Sequence, residues 1–163
     1  MENNFDTLFL DRDGVINYKI ENEYVKSICE FKFIPDFIHV VKDLSLLFNR
    51  IIIITNQQGI GKGLMSISDL NKIHEHMLNT INYNNGRIDK IYYCPHLDSD
   101  NCICRKPSPG MIQKAFEEYP EINRNRSYLI GDSDSDIQAG ISEKLITVKV
   151  SSKFTILDWF NSL

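Results

Sequence analysis

The chain has 163 residues, 42% of them hydrophobic and 25% charged, and a formal net charge of −4. That length suits one hydrophobic core and a single domain over residues 1–163, without room for a second substantial domain. The acidic balance excludes a broad basic field for nucleic acid or anionic lipid, so a small-molecule partner is expected; the further expectation is a monomer. No apolar run approaches the roughly 18 residues of a membrane span. The segment MENNFDTLFLDRDG lacks the basic start and small-residue cleavage site of a signal peptide, which points to the cytoplasm.

Apolar runs at residues 7–10, 50–55, 88–93, 127–130 and 145–150 lack clean alternation and are bounded by turn residues, the pattern of parallel strands buried on both faces. Helical spacing separates them. Residues 35–48 place Phe37, Val40, Val41, Leu44, Leu47 and Phe48 on one face, and residues 68–82 do so with Leu70, Ile73, Met77, Leu78 and Ile81. Shorter helices are predicted over 109–119, 134–142 and 154–160, the first with Pro109 near its N1 position. Strands alternating with helices predict an α/β fold, a Rossmann-like open and mostly parallel sheet flanked by helices.

The first strand runs out into LFLDRDGVIN, residues 8–17, with Asp11 and Asp13 one residue apart. Alternate residues of a strand share a face, so both carboxylates look into one crevice if the strand geometry lasts that far. Two close anions need a cation or a shared proton, and Mg²⁺ with oxygen ligands answers that need; an ordinary strand-to-turn exit is the alternative. The second strand ends in IIIITNQQGIGKG, where Thr55, Asn56 and three glycines leave N–H groups to approach an anionic oxygen. It is not a Walker loop, because the spacing to Lys62 is wrong and no Ser or Thr follows.

After the third strand, CPHLDSDNCIC places Cys94, His96, Cys102 and Cys104 in one loop, residues 94–104. Three thiolates and an imidazole fit a closed tetrahedral Zn²⁺ site, a structural clip pinning the segment that carries Arg105 and Lys106. Four unligated side chains are the alternative, and Cys29 stands apart as an ordinary thiol. Lys106, in CRKPSPG, has a use beyond solvation if it neutralises phosphate charge or restrains a nucleophile. In YLIGDSDSDIQAG, Asp132 follows the fourth strand and is placed to meet a metal beside Asp11, while Asp134 and Asp136 suit helix capping. Every one of these groups follows the carboxyl end of a predicted strand, where open α/β sheets bind ligands.

Together the four segments resemble the haloacid dehalogenase superfamily of phosphohydrolases: LFLDRDGVIN its first motif, the threonine of ITNQQG its second, the lysine of CRKPSPG its third and GDSDSD its acidic fourth. The cysteine and histidine loop followed by CRKP is similar to a capless branch acting on heptose 1,7-bisphosphate or histidinol phosphate. The resemblance implies that Asp11 is the nucleophile and forms an aspartyl-phosphate, with Asp13 as general acid and base. It implies Mg²⁺ at the Asp11 and Asp132 carboxylates and the Asp13 carbonyl, with Thr55, Asn56 and Lys106 on the transferring phosphoryl group and Arg105 on the substrate.

KPSPGM and EYVKSICEFKFIPDFI look more like the heptose enzymes, which implies release of the C7 phosphate of D-glycero-D-manno-heptose 1,7-bisphosphate on the way to ADP- or GDP-heptose. Histidinol phosphate, or another small phosphomonoester, is the alternative substrate. Ser133 departs from both branches, which commonly carry a basic residue after that aspartate. A signalling receiver domain fits poorly, because Cys94-Pro95-His96 stands where its phosphate-accepting aspartate belongs, and a non-catalytic zinc module would leave Asp11, Asp13, Lys106 and Asp132 without a task.

Overall fold

The computed structural model describes residues 5–163. The expectations that reach into residues 1–4, the start of the domain and the absence of a leader, lie partly outside the described residues. Strands β1 (Phe5–Leu10), β2 (Phe48–Asn56), β3 (Lys90–Cys94), β4 (Tyr128–Gly131) and β5 (Ile146–Lys149) form one sheet in the order β3-β2-β1-β4-β5. Every pairing is parallel, so the chain must cross over between neighbours, and helices make the crossings. These are α1 (Pro35–Leu47), a short α2 (Gln58–Gly61), α3 (Ile67–Tyr83), α4 (Gly110–Glu118) and α5 (Asp134–Ser142), with α6 (Ile156–Asn161) closing the chain.

The period of two along the strands divides the core between the two faces. Leu8 and Leu10 of β1 with Ile51 and Ile53 of β2 pack on the side of α1, α3 and α6, against Phe37, Val41, Ile73, Met77 and Trp159. Phe9, Ile52 and Ile54 point the other way, onto Met111, Ile112 and Ala115 of α4 and Ala139 of α5. A sheet covered on both faces has no polar side, which is why the strands read as continuous apolar runs.

The boundaries differ from the predicted ones for local reasons. Phe48 fits the helical pattern of α1 but opens β2, where it pairs with Phe5 and stacks on its ring at 5.1 Å. Pro109 is the N-cap of α4, one position earlier than expected, because the Gly110 N–H is bonded to the Ile103 carbonyl. The last helix starts at Ile156, set by a capping box between Thr155 and Asp158. The predicted glycine loop after β2 contains α2; a Cβ on Gly61 would stand 2.7 Å from the Pro95 carbonyl oxygen, whereas Gly63 has open space around it and adopts φ +72°.

Among the described residues no helix is long and apolar enough to cross a membrane. The strand order reverses at β1, whose neighbours are β2 on one side and β4 on the other. Such a switch point opens a crevice beyond the carboxyl ends of β1 and β4.

Candidate active site

Asp11 follows β1, and its N–H still bonds the Ile130 carbonyl of β4 at 3.0 Å. The chain then turns tightly: the Arg12 carbonyl accepts from Val15, Ile16 and Asn17, and Gly14 adopts φ +91°. A Cβ on Gly14 would fall 2.3 Å from Asp132 Oδ2, so glycine is what lets β1's turn close onto β4's. Asp11 and Asp13 therefore face the same cavity, of about 230 Å³, which is also lined by Lys19, Arg105, Lys106 and Asp136.

Lys106 is buried and spans two carboxylates, its Nζ lying 2.9 Å from Asp11 Oδ1 and 2.6 Å from Asp136 Oδ1. It also donates to the Ile54 carbonyl at 2.8 Å. Burial alone would lower its pKa, but the two carboxylates outweigh burial and hold it above the ordinary lysine value. Asp11 is pushed up to about 7 by burial, with the Asp136 charge adding to the rise and Lys106 opposing it. Burial also acts on Asp13, yet the Arg12 guanidinium and the Asn17 and Gln57 amides prevail and hold it below the ordinary carboxylate value. Arg12 is fully buried, with Nη2 on Asp13 Oδ1 at 2.9 Å and Nη1 at 3.2 Å from His74 Nε2 of α3.

Thr55 is buried at the end of β2, and its Oγ1 accepts from Gln57 Nε2 at 2.8 Å. Asn56 follows Thr55 at the end of β2 and lines the cavity. Its Nδ2 donates to the Lys106 carbonyl at 3.2 Å and its Oδ1 accepts the Lys106 N–H at 3.0 Å, so the amide is committed to bracing the segment that carries the lysine. Arg105 lines the cavity with its Nε 3.5 Å from Asp98 Oδ1, while its buried Nη1 has no partner among the described residues.

Asp132 has a buried Oδ1 without a partner among the described residues, and its Oδ2 lies 3.5 Å from Lys19 Nζ. Asp136, which the sequence pattern suits to helix capping, is also a residue of the site. It does accept from the Ser133 N–H and hydroxyl, but it is 1% exposed and faces Lys106. The signal was its place three and four residues before the buried Ala139 and Gly140, on the inward face of α5.

Two donor sets suit metals. Carboxylate oxygens of Asp11, Asp132 and Asp136 lie within 4.8 Å of one another. Three carboxylates face one buried ammonium, Lys106, and one largely exposed one, Lys19, so carboxylates outnumber cations, and the Asp132 Oδ1 that no described residue partners is a ready ligand; hard oxygen donors in this number fit Mg²⁺. In the loop after β3, Cys94 Sγ is 3.5 Å from Cys102 Sγ and 2.9 Å from Cys104 Sγ, and His96 Nδ1 is 3.2 Å from Cys104 Sγ. Ligands 2.3 Å from one tetrahedral centre stand roughly 3.8 Å apart. The observed spacings approach that value, the four cysteines are free, and the set could hold a metal such as zinc.

A family model described as polynucleotide kinase 3 phosphatase matches residues 6–158. The chain belongs to this family. A Mycobacterium bovis relative, D-glycero-alpha-D-manno-heptose-1,7-bisphosphate 7-phosphatase, is 39% identical over 131 residues, covering 80% of this chain and 69% of the relative. A Helicobacter pylori relative, named for the beta form of the same sugar, is 37% identical over 139 residues, 85% of this chain and 78% of the relative. The solved D,D-heptose 1,7-bisphosphate phosphatase of B. bronchiseptica, complexed with magnesium and phosphate, superposes with a TM-score of 0.85 at 31% identity, over 95% of this chain and 84% of that one. The chain is thus a phosphatase of the haloacid dehalogenase type, as its motifs led us to expect.

Proposed function

We propose that this phosphatase removes the C7 phosphate of D-glycero-D-manno-heptose 1,7-bisphosphate through an aspartyl-phosphate on Asp11, in the supply of ADP- or GDP-heptose. The observation that carries the chemistry is the ion-paired set Asp11–Lys106–Asp136 beside Asp132 and Asp13 at the sheet's switch point. The names of the relatives supply the substrate.

In the first step the Asp11 carboxylate bonds to phosphorus as the bond from phosphorus to the sugar oxygen breaks. Asp13, whose pKa its donors hold low, takes up a proton as the anionic phosphate arrives beside it, then gives that proton to the departing oxygen and becomes a carboxylate again. In the second step Asp13 takes a proton from water, whose oxygen attacks phosphorus, releasing phosphate and restoring Asp11. Lys106 and the Thr55 hydroxyl stabilise charge on the phosphoryl oxygens, and the unpartnered end of Arg105 meets the substrate.

Mg²⁺ would be held by Asp11 and Asp132 with the Asp13 carbonyl, where it would supply positive charge against the phosphoryl oxygens. Zn²⁺ at Cys94, His96, Cys102 and Cys104 would be structural, tying down the approach to Arg105 and Lys106. One domain, acting as a monomer in the reducing cytoplasm, is the proposed setting.

The test is phosphate release by purified protein with Mg²⁺, comparing kcat/KM for the heptose bisphosphate with that for histidinol phosphate. Preference for the heptose ester and loss of release in Asp11→Asn are expected. Preference for histidinol phosphate overturns the substrate, and an active Asp11→Asn overturns the mechanism.

A further inference from the structure

Asp13 is held by three donors distributed unequally over its two oxygens. Oδ1 accepts from Arg12 Nη2 and from Asn17 Nδ2, both at 2.9 Å, whereas among the described residues Oδ2 accepts only from Gln57 Nε2, at 3.0 Å. The same Gln57 nitrogen reaches Thr55 Oγ1 at 2.8 Å, so the two hydrogens of one amide serve both a carboxylate oxygen and a hydroxyl oxygen. Gln57 is 2% exposed, lines the cavity, and is anchored by its own N–H on the Cys94 carbonyl at 2.7 Å. Both acceptors need a donor here, which fixes the amide with its nitrogen toward them.

We infer that Gln57 is a positioning residue that aims Asp13 Oδ2 and the Thr55 hydroxyl together at one phosphoryl ester. The inference rests on the acid and base role proposed for Asp13. With Oδ1 occupied by two donors, the acidic proton of neutral Asp13 resides on Oδ2. It passes from there to the sugar oxygen as the P–O bond to that oxygen breaks and the Asp11–phosphorus bond forms, leaving Asp13 ionised and the product an alcohol. The Thr55 oxygen, already accepting from Gln57, has its single O–H left to donate to a phosphoryl oxygen. Without Gln57, Oδ2 loses its only fixed contact while Oδ1 keeps both of its own, so the carboxylate remains tethered but free to turn.

The test uses the dependence on leaving group, since an alkoxide needs the proton and p-nitrophenolate does not. Values of kcat/KM cover the steps only through departure of the alcohol, so breakdown of the phospho-enzyme does not mask the effect. In Gln57→Met, similar in length and without donors, kcat/KM for an alkyl ester such as the heptose bisphosphate should fall at least about tenfold more than for p-nitrophenyl phosphate, a part of what a general acid contributes. Should Gln57→Met not fold, as judged by its melting transition, the same inequality is expected of Gln57→Glu, which donates at most one hydrogen and cannot serve both acceptors.

Asp13→Asn separates the two readings. If it loses the alkyl ester selectively and the Gln57 variant loses both esters equally, or neither, the inference is overturned alone. If Asp13→Asn is itself unselective, the acid role falls and the inference with it.

Discussion

His74 should make this protein acid-sensitive well above the range where carboxylates titrate. The ring is buried on α3 with Nε2 3.2 Å from Nη1 of the fully buried Arg12, and only a neutral ring can accept that guanidinium hydrogen. Burial first, and the Arg12 charge second, push its pKa from 6.5 down to about 3, against a smaller upward pull from Asp13. Because the folded pKa is depressed, the unfolded chain binds a proton that the folded chain refuses between pH 6.5 and about 3, and stability falls as pH falls through that window. At pH 5 the deficit is about 1.5 pH units below 6.5, or about 2 kcal/mol at 1.36 kcal/mol per unit. His74→Gln keeps an acceptor for Arg12 and removes the titration. Urea unfolding at pH 7 and pH 5, with chelator present throughout, gives the drop for each protein, and the other histidines cancel in the difference. Wild type should lose about 2 kcal/mol more than His74→Gln. Equal losses, within the 10–15% error of about that size in extrapolated stability, would refute the reasoning.

The raised Asp11 value gives a second linkage of opposite sign. Its folded pKa of about 7 lies above its ordinary 3.8, so in metal-free protein ionising it costs stability as pH rises between those values. Mg²⁺ competes with that proton, and the rise in Tm on adding Mg²⁺ should be larger at pH 8 than at pH 5; equal rises would show that Asp11 is not a ligand. Breaking the proposed zinc site by Cys94→Ser should abolish zinc binding and speed amide exchange across residues 95–106 by at least about tenfold, since a metal held by that loop would couple its order to binding. Unchanged exchange would mean that hydrogen bonds such as Asp98 N–H to Gln58 Oε1 hold the loop unaided.

The parts of the fold that rest on local pattern were legible in the sequence. Leu8, Phe9 and Leu10 announce a strand covered on both sides, and α5 begins at Asp134 as its acidic first turn suggests. What escaped depends on partners far along the chain. Nothing near Asn56 shows that its amide will bracket the backbone of Lys106, fifty residues on, and nothing near Asp136 shows that a lysine thirty residues earlier will reach it. His74 reads as one more residue on an apolar helix face until Arg12 arrives beneath it. Gln57 stood inside a quoted motif, but its task appears only when the turn after β1 brings Asp13 against β2.

Asp136 also answers a problem that the proposed chemistry creates. Lys106 is 4% exposed, and a buried ammonium that loses its carboxylate is strongly destabilising unless another anion is held against it. Once Asp11 bonds to phosphorus, its oxygen no longer offers Lys106 a full negative charge. Asp136, 2.6 Å away on the other side of the same nitrogen, is not consumed in either step and keeps the ammonium paired throughout. Its own orientation is fixed by the Ser133 N–H at 3.1 Å and hydroxyl at 2.7 Å, so the partner stays in place while Asp11 changes bonding. That assigns a physical use to Ser133, the position where a basic side chain was expected: a short hydroxyl at the N-cap of α5 steadies the carboxylate that lets Lys106 remain charged while the nucleophile is occupied.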